Sequence, residues 1–152
     1  MKILILANSS KGLFNFRREL LDELRNPGIY IDSVEHDPYD ILICVPDSTN
    51  NENFKSLGCK VKNISVDRRG KNPLKDFYLI KNYKKIIYNY KPDVVLTYTI
   101  KPNIYGGIAA KKFKVPYIVN ITGLGAGIHR NNFTSNFIKI LYKKGVKGCL
   151  LY

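Results

Sequence analysis

Three stretches carry groups suited to chemistry on an anion: Asn8-Ser9-Ser10-Lys11-Gly12, the segment from Thr97 to Asn103, and the segment from Thr122 to Arg130. Each follows an apolar run, where a strand would hand over to a helix. In the first, small polar residues, a lysine and a glycine place backbone N–H groups at a helix N-terminus, where negative charge is favoured. The alternative is a polar turn with a helix cap. Neither Gly-x-x-x-x-Gly-Lys-Ser/Thr nor Gly-x-Gly-x-x-Gly is present there. In the second, Lys101 stands before Pro102 and Asn103, and a helix is expected from about Asn103. Gly106, Gly107, Ala109 and Ala110 give that helix a small face, able to press on a sheet and carry Thr99, Lys101 and Asn103 over a crevice. The alternative is a proline-punctuated turn with a solvated lysine. In the third, Gly123, Gly125 and Gly127 permit close approach of backbone to a ligand, or simply a flexible surface loop. His129 and Arg130 follow, and His129 is either a catalytic group or a surface histidine.

The residues missing from these stretches narrow the chemistry. No acid follows Asp93, so hydrolysis by paired carboxylates has no acids there to use. Two histidines and scattered cysteines at 44, 59 and 149 assemble neither a nucleophilic triad nor a metal cluster. What is left is cationic and hydrogen-bonding, suited to stabilising a phosphate or pyrophosphate leaving group.

The charge distribution agrees. The chain has 152 residues and a net charge of +13, and all twelve acids lie between Glu19 and Asp93. Residues 94 to 152 carry nine Lys or Arg and no acid. Phosphorylated ligands, anionic lipid and nucleic acid fit this surplus, and a cationic partner does not. Nucleic acid is set aside because no recognised module accompanies the charge. The odd cysteine count reads as free thiols in a reducing compartment. No apolar run is long enough to span a bilayer, so the chain is expected to be soluble or peripheral, and the expected location is cytoplasmic, either free or on the inner face of the membrane.

The elements that must position these loops follow from apolar patterning. Continuous runs of Ile, Leu and Val suit parallel strands buried on both faces, here Lys2–Ala7, Asp40–Val45, Lys60–Ser65, Asp93–Tyr98 and Pro116–Ile121, with Cys149–Tyr152 starting a sixth. Helices are expected at Leu13–Arg25, Asn51–Leu57, Pro73–Tyr90, Asn103–Phe113 and Phe133–Lys144. The alternation predicts an α/β fold with a doubly wound, Rossmann-like parallel sheet of order 3-2-1-4-5, forming one domain over residues 1–152. Asn72 and Pro73 form a cap with proline at the first helical position, and Asp76 sits in the first turn, where the helix dipole favours an acid. A buried stripe of Leu74, Phe77, Ile80, Ile87 and Tyr90 is expected on that helix. Gly58 and Gly145 are expected to end the second and last helices. An extra strand and turn is expected between Asn26 and Pro38. The last helix should place Phe133, Phe137, Ile140 and Leu141 on one face. Its Lys139, Lys143 and Lys144, with Lys147, could face an anionic membrane or simply solvent.

Several blocks together resemble the N-terminal domain of glycosyltransferase family 4, which includes bacterial transferases of capsule, exopolysaccharide and lipid-linked oligosaccharide synthesis. They are Lys2-Ile3-Leu4-Ile5-Leu6-Ala7-Asn8, Val66-Asp67-Arg68-Arg69-Gly70-Lys71-Asn72-Pro73, Lys91-Pro92-Asp93-Val94-Val95, Ile100-Lys101-Pro102-Asn103 and Thr122-Gly123-Leu124-Gly125. The resemblance implies half of a GT-B enzyme, which transfers sugar from a nucleotide-sugar to a lipid-linked or glycan acceptor with retention and without a metal or other cofactor. It implies that Ser10, Lys11 and Gly12 lie near the donor phosphates. It places Thr99, Lys101, Asn103, Thr122, Gly123, Gly125 and Arg130 on the acceptor side. The C-terminal donor-binding domain is not part of the chain, so the domain is expected to be inactive alone. It would be an excised domain, a truncated frame, or one half of a split transferase whose catalytic half is a separate chain. The alternatives are a membrane-recruiting subunit of such a transferase and a fragment of a GT-B-type epimerase.

Overall fold

A computed structural model describes residues 1–26, 37–67, 70, 72–121 and 133–151. Its elements, in chain order, are β1 (Lys2–Ala7), α1 (Ser10–Arg25), β2 (Asp40–Val45), α2 (Asn51–Ser56), β3 (Lys60–Asn63), α3 (Pro73–Tyr90) and β4 (Val94–Tyr98). A π-helical segment (Pro102–Gly106) then runs into α4 (Gly107–Lys112), followed by β5 (Tyr117–Asn120), α5 (Phe133–Val146) and β6 (Leu150–Leu151). The sheet is parallel throughout, in the order β3-β2-β1-β4-β5-β6.

The continuous apolar runs bury both sheet faces. Leu4 and Leu6 point into a cluster with Tyr83, Ile87, Val95 and Ala109 beneath α3 and α4. Ile3, Ile5 and Ala7 point the other way, against Leu13, Leu21 and Phe54 of α1 and α2. Alternation along one strand therefore feeds two cores, as in any doubly covered sheet.

α3 starts as expected: the Asn72 side chain accepts the N–H groups of Leu74 and Lys75 at 2.9 and 3.4 Å, and Pro73 occupies the first turn. Its buried stripe differs. Leu79, Tyr83, Ile86 and Ile87 are buried, while Leu74 and Phe77 are 67% and 63% exposed. Stepping by three residues drifts about 60° per step on a helix of 3.6 residues per turn. The expected set therefore wound from the solvent side round to the core.

The last helix is also corrected. Gly145 does not end α5 but lies inside it, buried against the π-helical segment. A Cβ there would stand 2.6 Å from Ile104 Cα, so glycine is what lets the two backbones meet. The turn that follows uses Gly148, at φ +81°. On α5, Ile140 is 65% exposed while Leu141 packs on the core, so the two do not share a buried face. The segment expected between Asn26 and Pro38 lies largely outside the described residues.

Candidate functional site

β1 pairs with β2 on one side and β4 on the other, with Ala7 opposite Tyr98 at the carboxyl end. From this point α1 leaves towards one face and the helix after β4 towards the other. The divergence opens a cleft of about 450 Å3 lined by Ala7, Asn8, Ser9, Gly12, Leu13, Phe16, Arg17, Tyr98 and Thr99. This is the switch point of the sheet, where ligands of doubly wound folds bind.

One wall is the start of α1. The Ser9 hydroxyl caps it by accepting the Gly12 N–H at 3.1 Å. The positive end of the helix dipole thus faces the cleft. Ser10 is buried and turned away: its hydroxyl accepts the Asn50 N–H at 3.1 Å, and its own N–H donates to Asp47 at 3.3 Å. Burial pushes the Asp47 carboxyl up, but hydrogen bonds from Thr49 and Ser10 outweigh it and hold the group below its usual range. Lys11 is exposed, and Gly12 lines the cleft.

The opposite wall is the end of β4. Thr99 adopts φ +77°, uncommon for a non-glycine residue, and its hydroxyl donates to the Tyr98 carbonyl. The helix after β4 begins earlier than expected, at Ile100, with the Asn103 N–H bonded to the Thr99 carbonyl at 2.9 Å. Pro102 falls in that first turn, where its missing N–H costs nothing. The π-helical segment that follows is a rare geometry, frequent at functional positions.

Lys101 and Asn103 do not face the cleft as free groups. Lys101 Nζ pairs with Asp76 Oδ1 at 2.5 Å, and Asp76 Oδ2 accepts the Tyr105 hydroxyl at 2.8 Å. Burial, then the bond to Asp76, push the Tyr105 hydroxyl well above its ordinary range. Asn103 is 1% exposed and donates to the Asn120 carbonyl at 3.0 Å and to the Tyr142 hydroxyl at 3.1 Å. It ties the π-helical segment to β5 and α5. Thr122, Gly123, Gly125, His129 and Arg130 lie outside the described residues. Lys139, Lys143, Lys144 and Lys147 are exposed on and just after α5, remote in sequence from the cleft walls.

Three cleft residues were not singled out from sequence. Arg17 places its guanidinium 5.3 Å from the centre of the Tyr98 ring, a cation–π pair across the cleft. Burial raises the Tyr98 hydroxyl, and Arg17 partly offsets it. Phe16, 78% exposed, stands at the mouth. A signal for Arg17 existed: it falls at the middle of the stripe Leu13, Arg17, Leu21, a charge on an otherwise buried face of α1. The cleft thus combines a helix N-terminus, one arginine and an aromatic ring, a set suited to a phosphorylated or sugar-bearing ligand. Among the described residues, no group of three or more His, Cys, Asp or Glu converges as a metal-ligand set.

The family model of glycosyl transferase 4-like domains matches residues 2–149. The chain belongs to this family. A Campylobacter jejuni relative, named N,N'-diacetylbacillosaminyl-diphospho-undecaprenol alpha-1,3-N-acetylgalactosaminyltransferase, is 26% identical over 155 residues; the match covers 97% of this chain and 38% of the relative. The chain thus spans well under half of that protein's length. Among solved structures, a UDP-N-acetylglucosamine 2-epimerase superposes with a TM-score of 0.66 at 14% identity, over all of this chain and 41% of its own. MurG from Acinetobacter baumannii gives 0.59 at 16% identity, over 93% of this chain and 39% of its own. These establish a shared Rossmann-like fold of the GT-B kind for this glycosyl transferase 4-like domain.

Proposed function

We propose that this glycosyl transferase 4-like domain is the acceptor-side half of a retaining glycosyltransferase that moves sugar from a nucleotide-sugar to a lipid-linked acceptor in bacterial surface glycan synthesis. The observation that carries the reading is the cleft at the carboxyl ends of β1 and β4, in a chain whose family match runs from residue 2 to 149. The relative of this domain that names an undecaprenyl-diphosphate acceptor supports that class of substrate. In this reading Arg17 and the N-terminus of α1 stabilise pyrophosphate charge. The mechanism calls on no metal, because these fixed donors meet the charge. Donor specificity would come from a second Rossmann-like half, on the same or a separate polypeptide.

The test is direct. The 152-residue chain is titrated with UDP-sugars and a short-chain polyprenyl-diphosphate sugar, then assayed for transfer with and without the second half of a related transferase. Acceptor binding in the cleft, with transfer only when the second half is added, supports the reading. Absence of binding to both ligands, or robust turnover by the chain alone, overturns it.

A second reading is favoured by the exposed Lys139, Lys143, Lys144 and Lys147. The chain would be a non-catalytic subunit that recruits a separate catalytic chain to the membrane. It predicts vesicle binding without affinity for either substrate.

A further inference from the structure

Among the described residues, three that are not glycine have positive φ: Lys91 at 51°, Lys114 at 56° and Thr99 at 77°. Lys91 caps the end of α3 and Lys114 follows α4, and a left-handed residue is a usual way to end a helix. Thr99 stands instead between a strand and the start of a helix, and it is β-branched, the class of side chain that this conformation suits least. Glycine would take the same conformation without strain. Strained residues persist only where their surroundings over-determine them, and they cluster where ligands bind. Thr99 lines the cleft.

The helix after β4 is fixed to its surroundings in three directions. Lys101 and Tyr105, one turn apart, both bond to the Asp76 carboxylate of α3, at 2.5 and 2.8 Å. Asn103 bonds to the Asn120 carbonyl and the Tyr142 hydroxyl. At Gly106 the segment sits against Leu6 and Thr97 of the sheet. The Asn103 N–H in turn holds the Thr99 carbonyl at 2.9 Å. With β4 set by its neighbouring strands and the helix set by these contacts, the strain falls on the residue that joins them. The anchor closest along the chain is the ion pair, because Lys101 is two residues beyond Thr99. Its side chains are withdrawn, with Lys101 12% and Asp76 19% exposed.

The two walls of the cleft also differ in what they offer a ligand. The α1 wall offers donors, from Arg17 and the helix N-terminus. The Ser9 hydroxyl there already accepts the Gly12 N–H, and Asn8 Oδ1 is fully enclosed. On the β4 wall the Thr99 hydroxyl gives its proton to the Tyr98 carbonyl, so it meets a ligand with lone pairs alone. An ionised phosphate has no proton to give it, whereas a sugar hydroxyl does.

We propose that Thr99 accepts a hydroxyl of the acceptor sugar and that Asp76, acting through Lys101, is the positioning residue that holds Thr99 in its strained conformation. The diphosphate then lies along α1 and the sugar against the end of β4, which sets the direction of the acceptor in the cleft. Asp76 is not among the lining residues and acts only through this connection. The assignment rests on the acceptor-side function proposed above.

The test is calorimetric titration of the 152-residue chain with a short-chain polyprenyl-diphosphate sugar and with the same polyprenyl diphosphate lacking the sugar. Thr99→Ala should weaken the sugar-bearing ligand by about 2- to 12-fold, the contribution of one neutral hydrogen bond, and leave the sugar-free ligand unchanged. Asp76→Leu/Lys101→Met should do the same. Added to Thr99→Ala it should bring no further loss, because both act at one hydroxyl. Retained binding of the sugar-free ligand reports that each variant is folded. Thr99→Gly should also lose affinity for the sugar, yet keep a Tm at or above that of the native chain, since relief of strain outweighs the extra freedom of glycine in the unfolded state. Additive losses, equal losses for the two ligands, no loss at all, or a Tm of Thr99→Gly well below the native value overturn the assignment and leave the acceptor-side reading standing. Failure of the native chain to bind the sugar-free ligand overturns the placement of the diphosphate along α1. Failure to bind the sugar-bearing ligand overturns the acceptor-side reading, and the assignment falls with it.

Discussion

Lys101 and Asp76 form a closed ion pair, 2.5 Å apart and mostly withdrawn from solvent, at the point where the helix after β4 meets the head of α3. The lysine beside the crevice is therefore neutralised by a carboxylate from another element, and the Tyr105 hydroxyl completes the arrangement at 2.8 Å. Charge at this loop is a fastening before it is a ligand contact. Removing one partner strands the other in a partly desolvated place, which costs more than removing both. Asp76→Asn should destabilise the domain by about 1–3 kcal/mol, less than a fully buried pair because some solvent reaches both groups. Asp76→Leu/Lys101→Met should cost less than the sum of its single variants. Urea unfolding of Asp76→Asn and of the four proteins of this double-mutant cycle measures both effects, and strict additivity would show that the pair is not coupled.

The contact of α5 with the π-helical segment gives a second test. Alanine at Gly145 puts a Cβ 2.6 Å from Ile104 Cα and 2.8 Å from its carbonyl oxygen, both backbone atoms that cannot step aside. Gly145→Ala should cost about 1–3 kcal/mol by overpacking, or roughly 2–12 °C in Tm for a domain of this size. Gly12→Ala is the control, since its nearest neighbour is the Ser9 side chain at 3.3 Å. A thermal scan that ranks Gly12→Ala as the more damaging would contradict the close approach of α5.

Asp40 supplies the pH dependence. Its hydrogen bond and ion pair with Lys60 on the neighbouring strand, at 2.9–3.0 Å, outweigh burial and hold its carboxyl below the ordinary 3.8. A group depressed in the folded state binds its proton more readily when unfolded. Its contribution is complete above 3.8 and is lost as the pH falls from there through the lower folded value. Asp40→Asn should therefore show a shallower acid decline than the native chain, with the two urea midpoints converging as the pH falls. Parallel curves down to the acid limit would remove Asp40 from the account.

The framework was legible because strands buried on both faces must be continuously apolar: β1, β2 and α3 have the bounds that their residues predict. The phase of α3 was misread because Leu74, Phe77 and Ile80 are spaced by three, which reads as a stripe only on a tighter helix. The partners of Lys101 and Ser10 were not legible. Asp76 and Asp47 reach them through the packing of α3 and of the loop after β2, and no local pattern joins residues so far apart. Asn103 was found by its position, but its burial follows from Asn120 and Tyr142, which only the fold brings near.

Arg17 offers the sharpest test of the cleft. It is the one arginine among the lining residues, held over Tyr98 and donating to the Phe16 carbonyl at 2.8 Å. A guanidinium so placed presents its remaining N–H groups to the cleft, where a pyrophosphate could take two of them at once. Hydrogen bonds to charged groups contribute about 1.5–3 kcal/mol, so Arg17→Gln should weaken a pyrophosphate-bearing sugar ligand by roughly 10- to 150-fold. Arg17→Lys keeps the charge but loses the fork and the stacking, and should recover only part of the loss. Tyr98→Leu should weaken binding less than Arg17→Gln, because it removes the stacking surface and not the charge. Calorimetric titration at two salt concentrations measures all three. If Arg17→Gln binds as the native chain does, the anion is held elsewhere along the carboxyl edge and the cleft serves only the uncharged part of the substrate.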